Sequence, residues 1–221
     1  MRGRFITFEG GEGGGKSTHA GLLALRLKSF GIEVVVTREP GGSPGAEIIR
    51  HVLLSGAAQP FGPEMETFLF AAARDDHIRN TIAPALAQGK WVICDRFIDS
   101  TRVYQGTLGQ VDPRMIRGLE RVIVGDVMPD LTFIMDVPAE LGLARASRRR
   151  GGLQADRFEA ETIEFHESLR KAFAALAESE PERCVLIDGS APKPAVVDKI
   201  WKIVSARFAP LPAARVSEKV P

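Results

Sequence analysis

The sequence predicts an α/β protein built on a doubly wound, five-stranded parallel sheet with helices on both faces. Five short runs of β-forming residues are apolar without regular alternation, as strands covered on both faces are. Longer helical segments separate these runs, and parallel strands need such right-handed crossovers. A glycine-rich phosphate-binding motif joins the first strand to the first helix. The predicted strands cover residues 4–9, 32–37, 90–95, 130–137 and 183–188.

Size and charge limit the class of protein. The 221 residues suit one sizeable core, so we expect a single domain over residues 1–208 and a Pro-rich, polar, flexible tail at 209–221. Lys plus Arg number 29 and Asp plus Glu number 28, which leaves no bulk positive field. This balance argues against a binder of nucleic-acid polymers or membrane surfaces.

The cysteines and the N-terminus indicate the cellular compartment. Cys94 and Cys184 lie inside apolar runs and are expected to be small buried hydrophobes in strands. No segment reaches 18 uninterrupted apolar residues, and residues 1–10 lack the apolar core of a signal peptide. We therefore expect a cytoplasmic protein.

The helical segments between the strands have recognisable ends. Residues 63–89 read as one long helix, or as two if Pro84 breaks it. A helix opened by Pro138 ends in the basic cluster 148–150, and "GGLQAD" separates it from another helix at about 159–178.

The first loop matches the pattern G-x-x-x-x-G-K-[ST] between a strand that ends at Glu9 and a helix that begins near Lys16. Glycines let backbone N–H groups turn towards phosphates, and a helix N-terminus adds partial positive charge. Lys16 would reach the β- and γ-phosphates, and the Ser17 hydroxyl would bind Mg²⁺. The predicted ATP-binding residues of this loop are Gly10, Gly11, Glu12, Gly13, Gly14, Gly15, Lys16, Ser17 and Thr18.

The other strand ends should lie beside this loop, because ligands of such sheets bind at the carboxyl ends of the strands. Asp95 ends the third strand directly before Arg96 and is the strongest candidate for a second Mg²⁺ ligand. Asp136 and Asp188 end later strands, where each could instead cap the next helix. Arg38 follows the second strand and suits either phosphate binding or a surface ion pair.

Four stretches together point to a family. "FEGGEGGGKST", "TREPGG", "DRFIDSTRVYQG" (95–106) and "DRFE" (156–159) occur in an order and spacing that resembles thymidylate kinase of the bacterial type, over about residues 4–208. Val103 is a small departure, since the family more often has Ala before Tyr-Gln. The resemblance implies a nucleoside-monophosphate-kinase-like fold with a small lid, and transfer of the γ-phosphoryl group of ATP to dTMP with Mg²⁺. The products are dTDP and ADP, in dTTP biosynthesis.

The resemblance also implies an acceptor site. Phe70 would stack on thymine and Arg74 would hydrogen-bond its carbonyl edge; the two lie four apart on one helix face, and the alternative is a core Phe with a surface Arg. Arg38 and Arg96 match residues that hold the acceptor phosphate. The implied dTMP site comprises Glu9, Arg38, Phe70, Arg74, Arg96, Ser100, Tyr104 and Gln105.

Within that implied set, Ser100 and Gln105 match contacts to the base or backbone, and Tyr104 matches a ring that crowds the 2′ position. Glu9 matches a carboxylate near the sugar hydroxyl and the metal, which it would reach directly or through water. The family is usually a homodimer, and helix 63–88 could form the interface or belong to the core.

The lid candidate is "RASRRRGGLQADR" (145–157), although a basic helix end also complements the helix dipole. Some thymidylate kinases carry a basic residue at the position of Glu12 and a lid poor in arginine, so here the missing charge is expected from the lid. Arg150 is favoured because glycines follow it. The candidates are Arg148, Arg149, Arg150 and Arg157, and the residues implied near adenine are Ser190, Ala191 and Pro192.

The reaction needs no general base, because a 5′-monophosphate has a second pKa of about 6 and is largely ionised near neutrality. Alignment and charge neutralisation by Lys16, Mg²⁺ and arginines would suffice. Two alternatives remain at the level of sequence. One is a kinase of another deoxynucleotide or of a deoxynucleoside, which would need a carboxylate base for a hydroxyl acceptor. The other is a P-loop ATPase or switch that acts through a protein partner.

Overall fold

The computed structural model describes residues 2–151 and 157–211, and its centre is a five-stranded sheet in the order β2-β3-β1-β4-β5. All four strand pairings are parallel, which confirms the predicted fold class. Each strand begins one or two residues later than predicted. The strands are β1 Phe5–Gly10, β2 Val34–Arg38, β3 Trp91–Asp95, β4 Leu131–Asp136 and β5 Cys184–Asp188.

Helices cover both faces of the sheet. A 3₁₀ turn lies at Gln59–Phe61, and π-helical segments lie at Ile78–Ile82 and Arg102–Leu108. The α-helices are α1 Lys16–Ser29, α2 Pro44–Leu54, α3 Gly62–His77, α4 Ala83–Ala87, α5 Ile98–Thr101, α6 Pro113–Ile123, α7 Ala139–Arg150, α8 Ile163–Ser179 and α9 Lys193–Arg207.

The long segment at 63–89 runs without interruption from α3 through the π-helical segment Ile78–Ile82 into α4. Pro84 lies two residues after the π-helical segment and cannot donate a backbone hydrogen bond, yet the helix continues past it. The local irregularity is therefore the π segment before Pro84 rather than a break at it.

The core is densest around β1, whose six residues are all buried. On one face, Phe8 and Phe133 pack with α1 and α9 through residues such as Leu27 and Ile200. Cys94 and Cys184 are buried free thiols, as expected. Within the described part of the chain, no helix is both long and apolar enough to cross a membrane.

The carboxyl ends of the strands share one edge, with Arg38 in register with Asp95 and Asp136 with Asp188. The idea that Asp136 and Asp188 cap helices is wrong. The helices that follow are preceded by Pro138 and Pro192 instead. Asp136 accepts hydrogen bonds from Arg170 at 2.5 and 3.2 Å, and Asp188 accepts the Ser190 N–H at 2.9 Å.

The predicted lid and the predicted tail lie partly outside the described residues, the lid at positions 152–156 and the tail at positions 212–221.

Candidate active site

A cleft of about 330 Å³ opens at the carboxyl edge of the sheet. The phosphate-binding loop forms one side, and residues that follow β2 and β3, together with α3, form the other. Sequence-predicted residues that line it are loop residues 12–18, Arg38, Phe70, Arg74, Asp95, Arg96, Ser100, Tyr104, Gln105 and Arg149. The fold therefore brings residues from distant parts of the chain into one cleft.

Lys16 lies at the start of α1 and is buried against the loop that precedes it. Its ammonium group donates hydrogen bonds to the carbonyl oxygens of Gly10 at 3.1 Å and Gly11 at 2.7 Å. Burial, followed by the nearby charge of Arg96, lowers the pKa of Lys16. A phosphate in the loop would relieve both effects, because it would give the ammonium group an anionic partner.

Ser17 and Asp95, both predicted to bind Mg²⁺, are brought into contact by the fold. The Ser17 hydroxyl donates a hydrogen bond to the Asp95 carboxylate across the gap between α1 and β3. Mg²⁺ prefers oxygen ligands and usually keeps several waters, binding to one or two protein oxygens plus substrate phosphates. One hydroxyl and one carboxylate, side by side in the cleft, fit that requirement.

Arg96 has a left-handed backbone conformation, with φ of 68°. Such a conformation is costly for a residue with a side chain and is kept only where the surroundings hold it. Here the Arg96 N–H donates to the Phe8 carbonyl at 2.9 Å, and the side chain turns back over the loop. Its guanidinium donates to Gly10 O at 3.1 Å, to the Ser100 hydroxyl at 3.3 Å and to the Glu12 carboxylate.

Glu12 is the acidic residue of the phosphate-binding loop, and its carboxylate accepts hydrogen bonds from Arg96 and, at 3.3 Å, from the Tyr104 hydroxyl. Burial alone would raise the pKa of Glu12, but Arg96, Lys16 and Arg149 outweigh it and lower the pKa to about 2. Glu12 is thus ionised at neutral pH, and its negative charge balances the positive charge of Arg96.

Glu9 lies behind the wall of the cleft rather than on it, and it is fully buried. Its carboxylate accepts the Phe97 N–H at 2.7 Å, the Ser100 N–H at 3.3 Å and the Ser100 hydroxyl at 2.6 Å. Burial, together with the charge of Asp99, raises the pKa of Glu9 to about 7. Glu9 therefore fixes the start of α5, which carries Ser100.

Phe70 and Arg74 face the cleft from one side of α3, as the i, i+4 spacing predicted. The alternative of a surface arginine is wrong, because Arg74 is only 3% exposed. Its Nε donates to Glu39 at 2.8 Å, and its Nη2 donates to the Phe97 carbonyl at 3.2 Å and the Thr101 hydroxyl at 3.1 Å. An arginine held by three partners presents a fixed donor to a ligand.

Arg38 lines the cleft from the end of β2 and also forms an ion pair. Its Nη2 donates to both carboxylate oxygens of Glu47, at 2.9 and 3.1 Å, and the pair is about half exposed. The structure therefore shows the ion pair, and phosphate binding by Arg38 stays a prediction.

Tyr104 and Gln105 lie on the π-helical segment that follows α5. The Tyr104 ring packs edge-on against Phe158 at 5.4 Å and lies 5.2 Å below the Arg96 guanidinium. Burial raises the pKa of Tyr104, so the phenol stays protonated at neutral pH. Gln105 is buried at the same wall.

The lid arginines lie at the C-terminal end of α7. Arg149 lines the cleft and donates to Glu159 at 3.2 Å, and Arg150 donates to the other oxygen of Glu159 at 2.5 Å. Arg148 is exposed. Arg157 pairs instead with Glu66 of α3 and lies 4.8 Å from the centre of the Phe158 ring.

The segment expected near adenine, Ser190 to Pro192, does not line the cleft. It is nevertheless tied to the base of the lid helix. The Gly189 N–H donates to the Asp136 carbonyl at 2.8 Å, and Arg145 of α7 donates to the Gly189 carbonyl at 2.9 Å.

Sequence reasoning missed several residues that line the cleft. Two pairs of them, Glu39–Pro40 and Phe158–Glu159, lie in "TREPGG" and "DRFE", of which only Arg38 and Arg157 were predicted as site residues. The missed residues are Glu39, Pro40, Arg50, Leu54, Phe97, Thr101, Phe158 and Glu159.

Comparison with known proteins gives one consistent result. The family model described as thymidylate kinase matches residues 8–200. A thymidylate kinase of Bradyrhizobium sp. is 60% identical over 207 residues, covering 94% of this chain and 92% of the relative. One from Bradyrhizobium diazoefficiens is 57% identical over 98% of this chain and 95% of its own. The crystal structure of thymidylate kinase from Ehrlichia chaffeensis superimposes with a TM-score of 0.73 at 36% identity, covering 92% of this chain and 99% of that one.

Proposed function

The chain belongs to the thymidylate kinase family, and we propose from this premise how its cleft carries out the family's reaction. The reaction is transfer of the γ-phosphoryl group of ATP to dTMP, with dTDP and ADP as products, in dTTP synthesis. One observation most strongly supports this assignment of a donor site and an acceptor site to the cleft. The phosphate-binding loop and the pair Phe70–Arg74 line the same cleft, so donor and acceptor can meet within it.

The ATP phosphates bind the loop of residues 10–18 in this proposal. Lys16 exchanges its bonds to the Gly10 and Gly11 carbonyls for bonds to the β- and γ-phosphates, since a phosphate is the stronger acceptor. Ser17 and Asp95 hold Mg²⁺, which neutralises phosphate charge when bound. Adenine lies towards Ser190–Pro192, where Arg145 ties the loop after β5 to α7.

The acceptor dTMP binds on the side of the cleft that is formed by α3 and by the residues after β2 and β3. Phe70 stacks on thymine, and Arg74 donates to its carbonyl edge. Ser100 and Gln105 line the base and sugar contacts, and Tyr104 crowds the 2′ position. Glu9 acts from behind, because it holds the Ser100 backbone and hydroxyl.

Arg96 and Arg38 receive the dTMP phosphate. Each forms an ion pair with a carboxylate in the structure, Arg96 with Glu12 and Arg38 with Glu47. The incoming phosphate replaces these partners and keeps both arginines neutralised. A phosphate oxygen then forms a bond to the γ-phosphorus while the bond to the β–γ bridging oxygen breaks, and ADP leaves with that charge. No protein base is needed, because the attacking oxygen is already ionised.

The lid completes the neutralisation. Arg150 is the main candidate, with Arg149 beside it, and both are held at the edge of the cleft by Glu159. Transfer of the guanidinium groups from Glu159 to the β- and γ-phosphates would bring positive charge to the reacting atoms. It would also exclude water, which otherwise competes as acceptor. Arg157 is a weaker candidate, because it pairs with Glu66 of α3 instead of with Glu159.

A homodimer is supported by an apolar face on α2 and α3, which pack side by side. Large hydrophobic side chains on this face are exposed, so the alternative that they belong to the core is wrong for them. Exposed large apolar side chains on two neighbouring helices are a feature of protein–protein contact surfaces. The exposed residues are Ile48, Val52, Phe61, Met65 and Phe68. We propose a cytoplasmic location, where ATP and dTMP are found and where the buried thiols Cys94 and Cys184 stay reduced.

The direct test is to measure ADP formation from ATP and Mg²⁺ in the presence of dTMP, dUMP, dCMP, AMP, thymidine or no acceptor. We expect strong stimulation by dTMP and a low rate without acceptor. Stimulation by thymidine but not by dTMP would indicate a nucleoside kinase. A rate independent of any acceptor would indicate an ATPase.

A further inference from the structure

Behind the thymine end of the cleft, a chain of polar side chains connects Arg74 to strand β2. Arg74 Nε donates to Glu39 Oε2 at 2.8 Å. The other carboxylate oxygen, Glu39 Oε1, lies 3.0 Å from Nδ1 of His77, and Nε2 of His77 lies 2.7 Å from the hydroxyl of Thr37. The Glu39, Arg74 and His77 side chains are at most 4% exposed.

Burial makes the order of these bonds matter, because an unpaired polar group would be costly there. A carboxylate only accepts, so Arg74 and His77 Nδ1 both donate to Glu39. With the imidazole proton on Nδ1, Nε2 accepts from the Thr37 hydroxyl, so both nitrogens of His77 and both oxygens of Glu39 have partners. The array therefore fixes the plane of the Glu39 carboxylate, and Glu39 in turn fixes the Arg74 guanidinium.

The array leaves one side of Arg74 for a ligand. Nε and Nη2 make the bonds to Glu39, Phe97 and Thr101, whereas Nη1 makes no hydrogen bond to another described residue. Arg74 also lines the cleft. A guanidinium clamped on one side presents its remaining donors in a fixed direction, which is what recognition of a carbonyl requires.

We propose that Glu39 is a positioning residue for recognition of the thymine base, and that His77 and Thr37 hold it in place. This inference rests on the proposed role of Arg74. It gives the end of β2 and the turn that follows it two tasks. Arg38 is available to the acceptor phosphate, while its neighbours Thr37 and Glu39 hold Arg74, the residue that recognises the base. One turn thus sets the spacing between the two ends of dTMP.

The main test is Glu39→Gln, which keeps the shape of the side chain but removes the charge that holds Arg74. We expect the KM for dTMP to rise about tenfold, with the KM for ATP unchanged, because a charge-assisted hydrogen bond is lost only at the base. The preference for dTMP over dCMP should also fall, since dCMP presents an amino group where thymine has a carbonyl. A purely structural role would not change this preference.

Thr37→Val provides a gentler second test, with Thr7→Val as its matched control. Both positions are strand threonines with one side-chain hydrogen bond of 2.7 Å, but Thr7 bonds only to Thr132, away from Arg74. Thr37→Val should raise the KM for dTMP by about fivefold or less, and Thr7→Val should leave it unchanged. In a Glu39→Gln background, Thr37→Val should add little, because both act through one network. Equal effects of Thr37→Val and Thr7→Val would overturn the inference.

Arg74→Lys separates this inference from the proposal on which it rests. If Arg74→Lys raises the KM for dTMP and Glu39→Gln does not, the positioning role of Glu39 is wrong and the role of Arg74 stands. If neither substitution changes the KM or the base preference, the assignment of Arg74 to thymine is itself wrong.

Discussion

Gly142 of α7 lies directly against the backbone of Glu12 in the phosphate-binding loop. A Cβ atom on residue 142 would be 2.3 Å from the Glu12 carbonyl oxygen, and one on Gly13 would be 1.9 Å from the Gly142 carbonyl oxygen. The lid helix and the loop are therefore in contact backbone to backbone, with no side chain between them. Because residues 148–150 continue the same helix, this contact sets how far the lid arginines reach towards a phosphate in the loop.

The first prediction concerns Gly142→Ala. Glycine inside a helix normally costs about 1 kcal/mol relative to alanine, so alanine should stabilise a helix where space allows. At Gly142 the methyl group cannot fit unless the helix or the loop moves. We expect turnover to fall by about tenfold or more, because the arginines lose their alignment with the loop. Steady-state kinetics would measure the loss of turnover, and thermal unfolding would measure the effect of the methyl group on stability.

Gly118→Ala is the matched control, since Gly118 lies inside α6 and a Cβ there would meet no atom within 4 Å. It should raise the unfolding temperature slightly and leave turnover unchanged. If Gly142→Ala behaves like Gly118→Ala, the lid helix can adjust freely and the contact has no role in alignment.

The second prediction concerns the lid arginines. Arg150→Ala should lower turnover by a factor of about 10³, the lower end of the range for a transition-state arginine, while the KM for dTMP changes little. Arg148→Ala is the control, because Arg148 is exposed and does not line the cleft. Arg149→Ala should fall between them. A larger loss for Arg149→Ala than for Arg150→Ala would move the main role to the arginine that already lines the cleft.

Local patterns made most of the fold predictable from sequence. Each strand and the loop depend on a short run of residues, and the Phe70–Arg74 face depends on one helical period. The sequence also placed Asp95 and Ser17 at strand and helix ends, where the parallel sheet brings them together.

Pairing between distant residues could not be predicted in the same way. Arg96 meets Glu12 from 84 positions away, and Arg157 meets Glu66 from 91. His77 had no sequence signal at all, because its role depends on Glu39 turning inward while Arg38 turns outward. Such pairs follow from the packing of whole elements, so periodicity and spacing carry no information about them.

The third prediction concerns assembly. Phe68 is 51% exposed on the apolar face of α2 and α3, so Phe68→Glu should place a charge in the dimer interface and yield monomers. Light scattering or sedimentation would measure the mass. Leu25→Glu is the control, because Leu25 is equally apolar and 66% exposed but lies on α1. If neither variant changes the mass of a dimeric wild type, the dimer uses another surface.

The fourth prediction concerns the pH dependence of stability in the ligand-free protein. The pKa of Glu9 is raised from 4.5 to about 7, so the folded state keeps a proton that the unfolded state has released. Stability should therefore decrease as pH rises between about 4.5 and 7. Urea unfolding at pH 5 and pH 8 should show a loss on the order of 1–3 kcal/mol in wild type relative to Glu9→Gln. The comparison with Glu9→Gln cancels the opposite contributions of His19 and His166, whose pKa values are lowered by burial. Glu12 does not contribute to this change, because its pKa is lowered to about 2 and its titration affects stability only below about pH 4.5.

The fifth prediction tests the cause of that behaviour. Asp99 is fully buried, accepts hydrogen bonds from both Nη atoms of Arg183 at 2.7 and 2.8 Å, and adds to burial in raising the pKa of Glu9. Asp99→Asn removes that negative charge, so the pKa of Glu9 should fall towards its ordinary value. The stability lost between pH 5 and pH 8 should then shrink relative to wild type.

Asp99→Asn also removes one carboxylate partner of Arg183 and leaves it paired with Glu180, so stability should drop by about 1–3 kcal/mol at every pH. The overall drop and the pH-dependent part are separable, because only the second requires Glu9. In Glu9→Gln, the further change Asp99→Asn should give the overall drop with no change in pH dependence. Asp198 forms an exposed ion pair with Arg26, so Asp198→Asn should cause neither the overall drop in stability nor a change in its pH dependence. If Asp99→Asn keeps the full wild-type pH dependence, burial alone sets the pKa of Glu9.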